Sequence, residues 1–375
     1  MTELIDKIFE TIKCYRKEEG EFMSKEIITN WINQFDEEDR EFILSELSVI
    51  LESRYIRKQQ FKDYLKTTFF KDIAGVMKEK FNQEDIGEIF KRSYLINHQP
   101  EGKSQKAIIK LFEEVIKEEL GLSLEDCGKE EPLCYIYLDD LLCTGDTVFK
   151  GIADKNGWLN EKTLNPEKTN REVLEEKNTP IFIVFYSIHI LNMHKLLKRI
   201  GYSQKNHKIS IWYFWQDNHE IDNKFNEVSS KLQFIYPIED VEDDLVTKCK
   251  QQIIDKIDAF CDQKGYDQPT EHFYRSELTP EKETFFSNPE NRKRFEKVIL
   301  KKSIEIYNLA NSEELRMRPL GYGLNTDKSF GFGTLLFSWR NVPFNTPLIF
   351  WYEHKGWNPL FKRKWSSYSS HFMIF

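Results

Sequence analysis

The chain has 375 residues, of which 40% are hydrophobic and 31% are charged, and its formal net charge is −8. This length suffices for about two to three domain-sized units, and the composition excludes a disordered protein. The negative charge excludes a protein whose whole surface binds nucleic acid, but it does not exclude a local basic surface.

The chain also carries no sign of membrane insertion or export. No apolar run approaches the roughly 20 residues that cross a bilayer, and the N-terminus has no apolar signal-peptide core. The six cysteines are scattered without a C-x-x-C pair, which is typical of free thiols in a reducing compartment. The sequence therefore predicts a soluble cytoplasmic protein without membrane contact.

The first 75 residues carry apolar side chains at helical spacing. Ile27, Ile28, Trp31 and Ile32 share one helical face, and no proline occurs before Pro100. This pattern predicts three or four amphipathic helices packed together. We interpret residues 1–75 as a helical N-terminal region that is either a helical cap or a winged-helix or interaction module.

From about residue 92 the pattern changes to short apolar runs separated by helical segments. The runs are SYLINHQ (93–99), CYIYL (134–138), IFIVFYSI (181–188) and KISIWYFW (208–215). Apolar strands without alternation, separated by helices, predict a parallel sheet that is covered on both faces. Residues 76–220 are therefore predicted to form an α/β core, with the polar stretch 157–178 as a loop or insertion that adds little to it.

The last region, residues 221–375, is predicted to complete or cover a ligand-binding site on the α/β core. It is mostly charged helix up to about residue 315 and then becomes rich in aromatic residues and glycine, as in GYGLNTDKSFGFG (321–333). Two interpretations stay open for this stretch: hairpin turns with core aromatics, or a platform that stacks on a nucleotide or a single strand. Arg340 and Asn341 follow this stretch, and their guanidinium and amide groups are suited to contacting the base or phosphate of an acceptor substrate.

The central motif, CYIYLDDLLCTGDT (134–147), admits two interpretations. Its Tyr137–Asp140 segment spells the Y-x-D-D of a reverse-transcriptase palm, where paired aspartates bind the polymerase metals. A palm places this motif at the tip of a β-hairpin, so that an apolar strand follows it. Here CTGDT follows, and a helical segment begins after it. We therefore reject the polymerase interpretation.

The same residues fit a ribose-phosphate site. A parallel strand would bring Asp139 and Asp140 to its C-terminal end, where open α/β sheets bind ligands, so that they face ribose hydroxyls and help to hold Mg²⁺. The following turn would wrap a 5′-phosphate in backbone N–H groups at a helix N-terminus. Its residues are Cys143, Thr144, Gly145, Asp146 and Thr147. The carboxylate of Asp146 would repel a phosphate bound in this turn unless the side chain points outward.

This motif resembles the PRPP-binding signature of type I phosphoribosyltransferases: a hydrophobic quartet, two acids, two aliphatic residues and a small-Thr-Gly-x-Thr loop. More weakly, the whole chain resembles the phosphoribosyltransferase-like proteins of prokaryotic conflict systems. The resemblance implies a phosphoribosyltransferase-like α/β fold with a parallel sheet and flanking helices, an N-terminal helical region and an aromatic-rich C-terminal extension. It also implies PRPP or a nucleotide as ligand, Mg²⁺, and an anti-phage defence role beside a partner such as a retron or an ATPase.

Two further places bear on that resemblance. A pyrophosphate loop is expected after the first core strand, at Gly102, Lys103 and Ser104, and Asp217 after the last strand is a candidate substrate contact. However, residues 121–132 are too few for the strand pair and long catalytic loop that such enzymes usually carry. Two hypotheses follow: a phosphoribosyltransferase with a nucleotide or nucleic acid as acceptor, or an inactive nucleotide-sensing or nucleic-acid-binding module that works with a partner.

Overall fold

The computed structural model describes residues 1–99, 104–203, 209–216, 220–221 and 232–363. The chain divides into two compact units. The first unit contains residues 1–58 and 221–363, and the second contains residues 59–220. The stretch 59–75, which the helical pattern groups with the N-terminus, thus belongs to the unit that holds the sheet. In the described part of the chain, no helix is long and apolar enough to cross a membrane.

The elements are numbered in chain order. The helices are α1 (Thr2–Ile12), α2 (Lys25–Ile32), α3 (Glu37–Arg54), α4 (Lys58–Thr67), α5 (Ala74–Phe81), α6 (Ile86–Lys91), α7 (Ser104–Leu120), α8 (Asp146–Ile152), α9 (Asn170–Lys177), α10 (Ile190–Ser203), α11 (Asp244–Lys264), α12 (Pro289–Ala310) and α13 (Leu348–Trp351). The strands are β1 (Tyr55–Ile56), β2 (Ser93–Leu95), β3 (Cys134–Leu142), β4 (Ile181–His189), β5 (Ile211–Phe214), β6 (Glu220–Ile221) and β7 (Phe337–Ser338). A π-helical segment, Thr68–Ile73, joins α4 to α5.

The first unit is built from both ends of the described chain. Its strands β1 and β7 pair in parallel, although they are far apart in sequence. The indole Nε1 of Trp31 donates a hydrogen bond to the Ile349 carbonyl at 3.0 Å. Arg16 Nη1 donates to the Lys362 carbonyl at 2.9 Å. Helix α2 and the turn after α1 therefore pack onto the C-terminal segment.

The glycine- and aromatic-rich stretch forms part of the core of this unit. Phe330, Phe337 and Trp351 are buried. Gly331 has φ +113°, and a Cβ there would lie 2.1 Å from the Gly321 carbonyl oxygen, so no larger residue fits. Close backbone packing and buried rings favour the interpretation as turns and core over that as a stacking platform.

The second unit contains the parallel α/β sheet that the apolar runs predict. Its strand order is β2-β3-β4-β5, with all three pairings parallel, and β6 also pairs with β4. On one face, Tyr137 and Ile183 pack with side chains of α8, α9 and α10. On the other face, Tyr186 stacks on Phe61 of α4 with ring centroids 4.8 Å apart. The prediction of an α/β fold with a parallel sheet and flanking helices is confirmed.

The prediction for residues 157–178 is wrong, because this polar segment contributes to the core. Trp158 and Leu159 are buried against the sheet, and the segment ends in helix α9. A capping box starts that helix: the Thr169 hydroxyl accepts from the Glu172 N–H, and the Glu172 carboxylate accepts from the Thr169 N–H. The Asn170 side chain folds the preceding loop by donating to the Trp158 carbonyl at 2.7 Å. A few apolar anchors and side-chain hydrogen bonds order a segment whose average composition is polar.

Candidate functional site

Strand β3 places two neighbouring acids in different environments. Because successive side chains of a strand point to opposite faces, Asp139 shares a face with Tyr137 and Asp140 does not. Asp139 is 5% exposed, whereas Asp140 is half-buried. The backbone of Asp139 pairs with Phe185 of β4, so the sheet holds it rigidly. The two acids are therefore chemically distinct, although the sequence presents them as a pair.

The Asp139 carboxylate is held by neutral donors. Gln99 Nε2 donates to its Oδ2 at 2.8 Å, and Ser104 Oγ donates to its Oδ1 at 2.6 Å. The Asp140 N–H donates to Oδ1 as well, at 2.9 Å. Within the described residues, no cationic side chain forms an ion pair with Asp139. Among the residues that the structure describes, this buried carboxylate therefore has no counter-charge.

Burial raises the pKa of Asp139 to about 7, and the negative charge of Asp140 acts in the same direction. The hydrogen bonds from Ser104, the Asp140 N–H and Gln99 act against this rise. The carboxyl group therefore exchanges its proton near neutral pH. A bound cation, or further hydroxyl donors, would favour its ionised form.

Two glutamines that the sequence analysis did not single out position Asp139. The Gln105 side-chain oxygen accepts from the backbone N–H groups of His98 and Gln99, both at 2.9 Å. Gln99 Nε2 in turn donates to the Tyr137 hydroxyl at 2.8 Å as well as to Asp139. Tyr137, one of two tyrosines in the hydrophobic quartet 135–138, is a signal that could have indicated such a network.

After the strand, residues 143–145 turn and α8 begins at Asp146. Gly145 has φ +76°, and a Cβ at that position would lie 3.2 Å from Leu196 Cβ of α10, so both conformation and space favour glycine. The Thr144 hydroxyl accepts from the Asp146 N–H at 3.3 Å. The predicted order of strand, turn and helix is therefore confirmed.

The carboxylate in this turn has a cationic partner. Arg199 Nη1 of α10 lies 2.5 Å from Asp146 Oδ1. The guanidinium carbon of Arg199 also lies 4.1 Å from the centroid of the Phe149 ring on α8. Arg199 was not among the residues that the sequence indicated, because it lies 53 positions beyond Asp146.

The other candidates are placed as follows. Ser104 is the first residue of α7 and contacts Asp139 directly, which brings one residue of the expected pyrophosphate loop to the acids. Gly102, Lys103 and Asp217 lie outside the described residues. Arg340 and Asn341 belong to the first unit, where the Asn341 N–H donates to Ser338 Oγ at 3.2 Å. Their role on the acceptor side stays a prediction.

The donor set bears on the expected Mg²⁺. In the residues that the structure describes, no group of three or more His, Cys, Asp or Glu side chains could hold a metal ion. Asp139 and Asp140 alone do not form a closed protein site. Mg²⁺ usually keeps several waters and binds through one or two carboxylates together with substrate phosphates. The two acids fit a cation that is shared with a phosphate ligand.

Comparisons with known proteins point to one family. A family model described as PRTase-CE matches residues 28–363, a range that includes both acids and the turn after them. No curated protein and no solved structure matches the chain.

Proposed function

This chain belongs to the phosphoribosyltransferase-like family PRTase-CE, and on that premise we propose that it binds PRPP or a related ribose-phosphate together with Mg²⁺. The observation that carries the proposal is the buried carboxylate of Asp139. It lacks a cationic partner in the described residues and lies next to a second acid, just before a glycine turn. A ligand with hydroxyl groups, a cation and a phosphate would supply what this arrangement lacks.

Each part of the site has a proposed role. Asp140, the more exposed acid, binds the ribose hydroxyls and the cation, and Asp139 contributes a second carboxylate to the same ligand from the sheet. The backbone N–H groups of residues 143–147 bind the 5′-phosphate. Ser104 links the start of α7 to Asp139, so a pyrophosphate group bound near that helix would sit close to the acids.

If the bound ligand reacts, the protein contributes mainly position and charge. The transition state of phosphoribosyl transfer resembles an oxocarbenium ion, so no dedicated nucleophile is expected. Mg²⁺ would supply charge neutralisation for the departing pyrophosphate. Asp139 and Asp140 would hold the ribose while the bond at its anomeric carbon exchanges pyrophosphate for an acceptor, which we propose is a nucleotide or nucleic acid.

A specific observation supports the second candidate, a nucleotide-sensing or nucleic-acid-binding module without turnover. The described residues 121–133, between α7 and β3, contain a single 3₁₀ turn, Leu124–Asp126. The family resemblance implies a strand pair and a long catalytic loop at this place. A site without that loop would bind a ribose-phosphate while leaving the reacting carbon exposed to water.

We also propose the biological setting that the resemblance implies, a bacterial anti-phage defence effector that acts beside a partner protein in the cytoplasm. A direct test is phage challenge of bacteria that express the chain together with its neighbouring genes. Protection that is lost with Asp140→Asn would support both the setting and the site, whereas protection unaffected by Asp139→Asn and Asp140→Asn would contradict a role for this pocket.

The first experiment is calorimetric titration of PRPP into the protein with and without Mg²⁺. We expect binding that needs Mg²⁺ and is about 10- to 100-fold weaker in Asp140→Asn, because a charged hydrogen-bond partner is lost. Asp154→Asn, which changes a half-buried acid of the same unit outside the motif, is the matched control. Pyrophosphate release with candidate acceptors then separates the enzyme from the binding module. A folded wild-type protein that does not bind PRPP would overturn the proposal.

A further inference from the structure

The proposed phosphate loop contains an acid where an acid is unfavourable. Asp146 is the fourth residue of the 143–147 turn, and its carboxylate would repel a phosphate that carries one to two negative charges. The structure places Arg199 Nη1 2.5 Å from that carboxylate. Resting on the proposed function, we propose that Arg199 is a positioning residue that neutralises Asp146 and holds it aside so that the turn accepts a phosphate.

The geometry of Arg199 suits this role. Its guanidinium contacts the Asp146 carboxylate and also lies over the Phe149 ring, with the guanidinium carbon 4.1 Å from the ring centroid. Both partners belong to α8, so one side chain of α10 is fixed at two points of that helix. A planar guanidinium can make both contacts at once, which a lysine ammonium cannot do equally well. The Asp146 side chain therefore has a defined direction, toward α10.

The same face of α10 also contacts the turn itself. Leu196 precedes Arg199 by one helical turn, so the two side chains lie on one face of α10. A Cβ on Gly145 would lie 3.2 Å from Leu196 Cβ, which shows how closely α10 approaches the turn. Leu196 and Arg199 thus act on consecutive residues, Gly145 and Asp146. Helix α10 therefore packs against the turn as well as against the sheet.

Stability of the fold alone does not account for the ion pair. The side chains of Arg199 and Asp146 are 38% and 46% exposed, and pairs exposed to this degree contribute little to folding. The pair matters more for the local charge. Asp139, Asp140 and Asp146 place three carboxyl groups within eight residues, and Arg199 offsets the one that lies in the turn.

The test measures the dissociation constant of PRPP, with Mg²⁺, for a set of variants. Arg199→Gln should weaken binding about five- to tenfold, because Asp146 is then left uncompensated beside the phosphate. Asp146→Asn should tighten binding about threefold, since Arg199 then faces the turn without a partner. The double variant should bind within about twofold of wild type, and Arg199→Lys should retain most of the affinity because the positive charge stays.

Lys168→Gln is the matched control, because it removes a cation from a similarly exposed ion pair, Lys168–Glu176, in the same unit. Its PRPP affinity should equal that of wild type. Thermal melting of each variant checks that the fold is intact. Loss of the fold cannot produce the expected pattern, in which one single variant weakens binding, the other strengthens it and the double variant restores it.

The outcomes separate this inference from the proposed function. If wild type does not bind PRPP, the proposed function falls and this inference with it. If wild type binds and Arg199→Gln binds equally well, only the inference falls. If Arg199→Gln weakens binding but Asp146→Asn does not restore it, Arg199 acts on the ligand directly and the positioning role is overturned.

Discussion

Each unit of this protein buries a carboxylate, and the two are satisfied in different ways. Glu296, in the first unit, is fully buried and forms ion pairs with Arg275 at 2.9 Å and with Arg292 at 3.2 Å. It also accepts a hydrogen bond from the Tyr236 N–H at 3.1 Å. Asp139, in the second unit, has only neutral donors around it in the described part of the chain.

We interpret this difference as one between a charge that serves the fold and a charge that serves the proposed ligand. Two guanidinium groups offset the charge of Glu296, so nothing further is needed from a ligand. Burial raises the pKa of both carboxyl groups; the two arginines beside Glu296 act against that rise, whereas the second acid beside Asp139 adds to it. A buried charge without compensation costs free energy, and such a cost is typical of positions where a ligand completes the site. The following predictions test this contrast, from the largest expected effect to the smallest.

Glu296→Ala should destabilise the first unit by about 3–5 kcal/mol, because it leaves two buried guanidinium groups without their acid. Urea unfolding gives the loss, and hydrogen exchange should show it as faster exchange in α12. Glu305→Ala, on the exposed side of the same helix, should change the free energy of unfolding by less than about 0.5 kcal/mol. Equal effects of the two variants would remove the contrast.

Asp139→Asn should act on binding and on stability in opposite directions. The affinity for PRPP should fall by about 2 kcal/mol, since a charged partner of the ligand is lost. The protein should not become less stable, because the amide carries no charge to bury. Calorimetry and urea unfolding at pH 8 measure the two quantities. A variant that loses both would show that Asp139 is structural, like Glu296.

The stability effect of Asp139→Asn should depend on pH. The pKa of Asp139 is about 7 in the folded protein and near 3.8 when the chain is unfolded, so the folded state holds the proton more tightly. The stability that protonation contributes is present below pH 4 and is lost as pH rises through 7. Asp139→Asn should therefore gain more stability over wild type at pH 8 than at pH 5, by an amount on the order of a few kcal/mol at pH 8. A gain independent of pH would contradict the raised pKa.

Gln99→Leu should cost about 1 kcal/mol of stability, because Tyr137 and Asp139 both lose a donor. The loss of that donor should also weaken PRPP binding by disturbing the orientation of Asp139. Gln59→Leu, at an exposed position of α4, is the control and should leave both quantities unchanged within error. If both variants behave alike, Gln99 has no role in positioning Asp139.

What could be predicted from the sequence follows from local pattern. The apolar runs predict the parallel strands, because strands that are buried on both faces need no alternation. The two acids followed by Gly145 predict the turn, because the residue types that form it are neighbours in the sequence. Gln99 and Arg199 could not be found in this way. Each acts across 40 or more positions, and only the fold brings it to its partner.

The segment 157–178 shows a different limit. Its average polarity indicates a loop, yet Trp158 and Leu159 are buried. The Thr169 and Glu172 pair is a local helix-start signal that was available in the sequence and outweighs average composition. For the aromatic stretch after residue 320, no local pattern could separate stacking on a ligand from packing in a core, because both use the same rings and glycines.

Because the first unit is built from two segments that are distant in sequence, the ribosome synthesises its two parts at different times. Residues 1–58 leave the ribosome first, but their partners, such as β7 and Ile349, are translated some three hundred residues later. At about 5–20 residues per second, the N-terminal helices wait for about 15 to 60 seconds without their core. The described part of the second unit is contiguous, over residues 59–220, and is translated within that interval. The nascent chain would therefore carry both acids and the turn after them before its first unit is complete.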